Sequence, residues 1–536
     1  MRLYSFRGSL IFIILFWISG SGECLSPKYV NSQQFKQFTI YKRCMEKYLV
    51  PTWKLLGPAY NGSFYVTLNF RFNQLFEKAH PIAIVTPTET RDVQAAVKCG
   101  VKTSIPLVPI SGGHSYAGLS IGSNHSIVID FCYMNAITIN RKKQTVTAES
   151  GTLIGQLYGT LWEHGKLGSA LGICATVAIG GLVLGGGIGY FSALYGLVID
   201  NLLEINMVDA RGNSVQVDRN HNVDLWWAMR GIGSGYIGLV TSVKLKAFRA
   251  DELELIFVQM KYHNRSFKTV MGSYIKWLDW TKKNDPSIAS VIAIRGDDYN
   301  NPYDSVWPGI EVQLLQVKDP RIKWTGNPAF LNASRHIFPK PIEYNVTYPS
   351  FGEFVVTNNH TVEYGNMEKW IPDTIKSKFD YLSSITKDKA RPRHFYAKSF
   401  YVKKRYRAEH LLLAEKVLLE IPNDSCGIWI NSEQGAVARH QSNESSYVHR
   451  DVLFNFKIYH NGNNVDHIAP SQKWIKKFYK SVHFLDSGET YQNYPERGLR
   501  NHLHRYYGSN LKRLIEIKRK WDPDGYFNSE QSIPIH

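Results

Sequence analysis

From Leu167 to Ile199 the chain runs for 33 residues without a charge, and nine of them are glycine. Hydropathy alone would make such a run a membrane span. The glycines, among them Gly180-Gly181 and Gly185-Gly186-Gly187, argue against that, because each one inside a helix costs about 1 kcal/mol relative to alanine. A buried strand-and-loop segment whose backbone approaches something closely fits better. The rest of the chain has to be built around this flat, side-chain-poor surface.

The ends of the chain and its charge set the context. Arg2 and Arg7, the apolar run from Leu10 to Ile18 and the small residues Ser19 to Gly22 predict a secretory leader over 1–22. Nine apolar residues cover only about 14 Å of helix, less than half a bilayer core. Eight Asn-X-Ser/Thr sequons, at Asn61, Asn124, Asn264, Asn332, Asn345, Asn359, Asn423 and Asn443, suit a glycosylated extracellular surface. Across 536 residues, 63 Lys+Arg stand against 45 Asp+Glu, a net charge of +18. In a secreted chain that excess points away from nucleic acid. It reads as a solvated face, or as a means of holding the protein near an acidic matrix or cell surface.

Along the chain, residues 80–115 read as a β-α-β element. A strand at Ile82–Val85 leads into a capping box, Thr86-Pro87-Thr88-Glu89, then a helix ending at Gly100 and a strand at 105–110. Further strands are expected at 126–130, 145–149, 205–208, 215–217 and 239–245, with a helix at 153–163. Past about residue 250 longer alternating strands (253–260, 291–294, 310–317) are separated by helical stretches. A final helix at 510–521 stops at Asp522-Pro523-Asp524-Gly525.

Several common chemistries are missing. Gly233 to Gly238 satisfies GxGxxG, but the β-branched run Leu239 to Val243 follows where a Rossmann helix should begin. There is no P-loop, no HExxH, no paired CxxC and no GxSxG, so no metal site is expected.

Three short pieces remain. Ser111-Gly112-Gly113-His114 follows a strand, so its backbone N–H groups can converge on a pyrophosphate, or it can be a tight turn with a surface histidine. Cys174 lies in the glycine-rich run, as a reactive thiol or as a small buried residue. Tyr491-Gln492-Asn493-Tyr494-Pro495 stands near the C-terminus, where core tyrosines are the plain alternative.

Taken together, and with Tyr195-Gly196-Leu197, Asp200-Asn201 and Trp227 to Gly231, these pieces resemble the berberine-bridge-enzyme-like oxidoreductases of the vanillyl-alcohol-oxidase/PCMH flavoprotein superfamily. The resemblance runs from Cys44 to Pro534. It implies an α+β fold: a PCMH-type FAD-binding domain over about 30–250, a substrate domain over 251–485 with an antiparallel sheet covered by helices, and a C-terminal segment, 486–536, returning to the first. It implies FAD held covalently through His114 and Cys174, which would leave the substrate cleft open and favour hydride acceptance. Ser111, Gly112, Gly113, Ser115, Val177, Gly180, Gly181, Val240, Tyr491 and Asn493 would surround the cofactor. Cys44 and Cys99 would form a disulfide. Tyr494 would be the catalytic base, with Tyr195 beside it, taking a proton from a substrate hydroxyl while hydride leaves the adjacent carbon.

Val177 leans toward oxygen as the electron acceptor, with hydrogen peroxide released. Pro495 leans toward a carbohydrate or other alcohol as substrate. The chain departs from the pattern at Ile110, where an arginine is usual, and at Ala175 and Ala178, where Pro and Gly are common. The strand after His449-Arg450 reads Asn455-Phe456-Lys457-Ile458-Tyr459, with no acid; that shifts weight to Tyr494, with Lys457 or Asn455 facing the cleft. The competing functions are a dehydrogenase using another acceptor and a non-catalytic flavin- or carbohydrate-binding extracellular protein.

Overall fold

The computed structural model describes residues 32–57, 72–76, 79–120, 122–233, 237–296, 309–358 and 393–536. The leader at 1–22, the sequons at Asn61 and Asn359, and residues 234–236 of the GxGxxG stretch lie outside them.

A short sheet orders Leu55–Leu56, Ala83–Val85, Ile127–Asp130 and Leu107–Ile110, with the last three mutually parallel. The parallel pairing follows from the crossover helix Thr90–Thr103. That helix starts later than the capping box suggested. Asp92, inside its first turn, accepts the Thr88 N–H at 3.0 Å and Lys54 Nζ at 2.6 Å, which keeps Thr86 to Glu89 out of the helix. Nor does Gly100 stop it. The helix runs on to Thr103, and Gly100 is the notch into which Tyr526 fits, donating its hydroxyl to Ile105 O at 2.8 Å. The expected disulfide joins Cys44 to Cys99 and ties this helix to Ser32–Lys47.

A five-stranded antiparallel sheet follows, in the order Ile137–Asn140, Thr145–Glu149, Leu239–Lys246, Leu202–Val208, Ser214–Val217. The strand at its centre is the run that disqualified GxGxxG. The charge-free segment is mostly loop with single turns of helix, Ile179–Leu182 and Ser192–Tyr195; its one strand, Leu167–Gly168, pairs with Phe248–Arg249. The strand part of the expected strand-and-loop segment is thus two residues long, because glycines at 180–181 and 185–187 leave too few side chains to stabilise a ladder.

The largest sheet has seven antiparallel strands: Glu343–Thr347, Glu254–His263, Gly309–Lys318, Ala289–Arg295, Cys426–Ser432, Phe454–Gly462 and His394–Val402. Strict alternation gives it two faces. Phe454, Phe456 and Ile458 pack, with Phe400 and Ile428, under the helices Phe267–Asn284, Leu412–Leu418 and Ile468–Val482. Each such side chain contributes about 1.5–3 kcal/mol by leaving water. Trp429 and Tyr459, on the opposite face, join a second core continuous with the glycine-rich segment and the five-stranded sheet. The C-terminal stretch packs back on the first part of the chain, with Tyr507 donating to Ile232 O at 2.8 Å.

Among the described residues no helix is long and apolar enough to cross a membrane. Four sequon asparagines, Asn124, Asn332, Asn345 and Asn443, are exposed. Asn264 is not: it is 1 % exposed, so a folded chain cannot present it to a glycan.

Candidate active site

A cavity lies between the glycine-rich segment and the inner face of the seven-stranded sheet. It is lined by Leu107 to Ile110, Phe131 and Leu239, by Ser111 to Tyr116, Cys174, Val177, Ala178 and Gly180 to Leu182, and by Trp429, Lys457 and Tyr494. Every cofactor residue expected from the sequence, Ser111, Gly112, Gly113, His114, Ser115, Cys174, Val177, Gly180, Gly181, Val240, Tyr491 and Asn493, lines it.

The glycines are required by packing. A Cβ on Gly112 would lie 2.7 Å from Ala178 N, and one on Gly180 2.7 Å from Ser150 Oγ. The first of these contacts brings the His114 loop against the Cys174 loop. His114 Nε2 then shares a hydrogen bond of 2.9 Å with the Thr176 hydroxyl, and Cys174 Sγ lies 3.6 Å from that same oxygen. Thr176 thus gathers the two residues expected to anchor a flavin, a role not read from the sequence although it stands two positions after the cysteine. Phe72 stacks on the imidazole with centroids 4.9 Å apart. The ring opens on the cavity but is otherwise walled by protein, which pushes its pKa down to about 4 and keeps it a neutral nucleophile at physiological pH.

Tyr491 and Asn493 brace the floor. The Tyr491 hydroxyl accepts Gly187 N–H at 2.9 Å and Asn493 Nδ2 at 3.0 Å, and Asn493 Nδ2 also reaches Leu182 O at 2.9 Å. The YxNY element therefore locks the 182–187 turn in place.

Tyr494 is stacked on Tyr116 at 5.4 Å and meets Tyr491 edge-on at 5.0 Å. Lys457 Nζ lies 4.7 Å from the Tyr494 ring, 5.2 Å from Tyr459 and 5.6 Å from Tyr116. A buried ammonium enclosed by three phenol rings favours negative charge on any of them. Lys457 faces the cavity, whereas Asn455, two residues away on the same strand face, is buried and does not line it. Among the described lining residues the charged ones are Lys457 and Arg295, and none is an acid.

Tyr195 is not beside Tyr494. It stacks on Phe248 at 4.1 Å, donates its hydroxyl to Asp319 Oδ2 at 2.8 Å and does not line the cavity. Burial, then the Asp319 carboxylate, raise its pKa. The tyrosine that does partner Tyr494 is Tyr116, two residues after His114 in the SGGHSYAG stretch.

A cavity lined by glycines, by His114 and Cys174 and by a lysine–tyrosine cluster brings together the residues that would hold FAD. Such a fold and site define a flavoprotein oxidoreductase. Two family models match at the two ends of this architecture, an FAD binding domain at residues 81–218 and "Berberine and berberine like" at 490–534. The chain is 26% identical over 460 residues to an uncharacterized FAD-linked oxidoreductase of Bacillus subtilis, YgaK, covering 85% of this chain and 91% of that one. It is 25% identical over 516 residues to the chitooligosaccharide oxidase of Gibberella zeae, covering 91% and 93%. Its fold superimposes on that of Physcomitrella patens BBE-like 1 with a TM-score of 0.77, at 24% identity, over 92% of this chain and 99% of that one. Family models, relatives and fold together support a berberine-bridge-enzyme-like FAD-linked oxidoreductase.

Proposed function

We propose that the protein is a secreted oxidase that takes a hydride from the carbon and a proton from the hydroxyl of a sugar-like alcohol substrate. The observation that carries this reading is the Lys457 ammonium 4.7 Å from the Tyr494 ring, in the same cavity as His114 and Cys174. When bound, FAD supplies the hydride acceptor and, through its reduced form, passes the electrons to oxygen, giving hydrogen peroxide.

The protein's own residues do the rest. His114, kept neutral by burial, and Cys174 would anchor the cofactor covalently. Tyr494 takes the substrate's hydroxyl proton. An isolated phenol, with a pKa near 10, is a poor base; Lys457 lowers the cost of the phenolate, and Tyr116 holds the ring flat against the cavity wall. The absence of an acid among the described lining residues leaves no carboxylate to compete for this role. Val177 beside the cysteine is the residue that supports oxygen as acceptor. The chitooligosaccharide oxidase similarity and Pro495 support a carbohydrate substrate. The sequence leader, the disulfide and the four exposed sequon asparagines support secretion.

The test has two parts. Acid-precipitated protein is expected to stay yellow, and the double substitution His114→Ala/Cys174→Ala to release the colour; loss of colour from the unsubstituted protein overturns the covalent claim. In a panel of sugars and alcohols under air, peroxide release is expected. Reduction of an artificial acceptor without peroxide release would make it a dehydrogenase, and no bleaching of the flavin by any alcohol of the panel a binding protein.

A further inference from the structure

Behind the tyrosine wall of the cavity lies a buried acid that this chemistry does not use. Glu433, just after the strand Cys426–Ser432, is 1 % exposed and does not line the cavity. Its Oε2 accepts the hydroxyl of Tyr447 at 3.0 Å and that of Tyr401 at 3.4 Å, and the two hydroxyls lie 2.7 Å apart. The nearby Arg450 spends its guanidinium on Asp200, in two bonds of 2.8 Å. The side chain of Glu433 is thus bonded by phenols and by Asn431, and Arg450 is paired with Asp200 rather than with it.

The cluster reaches the active site through one ring. Tyr447 presses on the glycine turn, where a Cβ on Gly186 would lie 2.9 Å from its Cε2, and it meets Tyr491 edge-to-face at 6.3 Å. Tyr491 in turn accepts Gly187 N–H and packs against Tyr494.

We infer that Glu433 is a positioning residue: it fixes the hydroxyls of Tyr401 and Tyr447, and through Tyr447 and Tyr491 it sets Tyr494 and the 182–187 turn against the cofactor. The part concerning Tyr494 rests on the reading of that residue as the base. Burial pushes the Glu433 pKa up to about 8, against the smaller opposing pull of Tyr447, Tyr401, Arg450 and Asn431. The other groups around it are Tyr491 and, one step further out, His449 paired with Glu489 at 2.7 Å and Lys403 on that same carboxylate. Below about pH 8 the acid is neutral; above it, a buried negative charge forms beneath the turn.

The experiment compares the yellow holoprotein with E433Q, E433L and Y447F from pH 6 to 9. Two readouts are taken: the affinity of the flavin for sulfite, followed by absorbance, and the anaerobic rate of flavin reduction. E433Q keeps a neutral hydrogen-bonding side chain and is expected to hold both readouts within threefold of the parent at pH 7. E433L is expected to shift sulfite affinity at least fivefold and slow reduction at least tenfold. The parent's sulfite affinity is expected to break near pH 8, and that of E433Q to pass through without a break. Parental behaviour of E433L in both readouts overturns the proposal, and so does E433Q damaged as badly as E433L. If E433L does not fold, Y447F takes its place: a sulfite shift is expected, and parental affinity overturns the link through Tyr447. Sulfite binding needs no base, so it decides the positioning claim even if Y494F were to reduce at the parental rate and sink the reading of Tyr494.

Discussion

Tyr494 and Tyr195 occupy regions of opposite charge. At Tyr494 the ring is stacked on Tyr116, and the nearest formal charge described is the ammonium of Lys457, with no acid among the described lining residues. At Tyr195 the hydroxyl is given to Asp319, which itself is held by Arg321 at 2.6 Å. A phenol can serve as a base where a cation shares the charge it would acquire, and it is locked as a donor where a carboxylate already takes its proton. Both side chains are chemically identical and largely enclosed, so the sign of the neighbour decides. The first region suits the proton transfer proposed for Tyr494, and the other joins the 192–195 turn to the end of the strand Gly309–Lys318.

Substitutions can break that contrast, and their expected effects fall in order. Tyr494→Phe removes the base and should slow anaerobic flavin reduction by about 10²–10⁴-fold with the flavin spectrum unchanged; a parental rate would move the base elsewhere. Lys457→Met removes the cation but leaves the phenol, and a loss of about 10–30-fold is expected, the worth of a desolvated cation–π contact. An equal loss in both variants would mean that Lys457 acts on substrate directly. Tyr195→Phe should leave the reduction rate within twofold while costing about 1 kcal/mol of stability, the net value of one hydrogen bond. A large drop in rate without a drop in stability would restore Tyr195 to the active site.

The same contrast marks how far the sequence could be read. The floor of the cavity was legible because its constraints are local: Gly112 and Gly180 are glycine for steric reasons that follow a motif, and His114 and Cys174 sit inside those motifs. The antiparallel strands past residue 250 were legible from alternation. Which of Asn455 and Lys457 reaches the cavity was not, since both lie on one face and only the sheet's placement over the floor separates them. Tyr195 was misplaced for a related reason. Its partner Asp319 lies 124 residues away, and no local pattern announces such a pairing. The start of the helix at Thr90 escaped because Asp92, inside the first turn, satisfies Thr88 and Lys54 together, which a capping-box pattern does not register. Glu433 gave no signal at all; a lone acid after an apolar strand reads as a solvent-facing residue until the burial of its surroundings is known.

The most direct measurement of the central claim is the rate of anaerobic flavin reduction as a function of pH, in the parent and in Lys457→Met, with one alcohol substrate from the panel. If Lys457 makes Tyr494 a base, the rising limb of the profile should move to higher pH by about one unit in the variant, the equivalent of about 1.4 kcal/mol of lost charge stabilisation. A rising limb at the parental pH would contradict it.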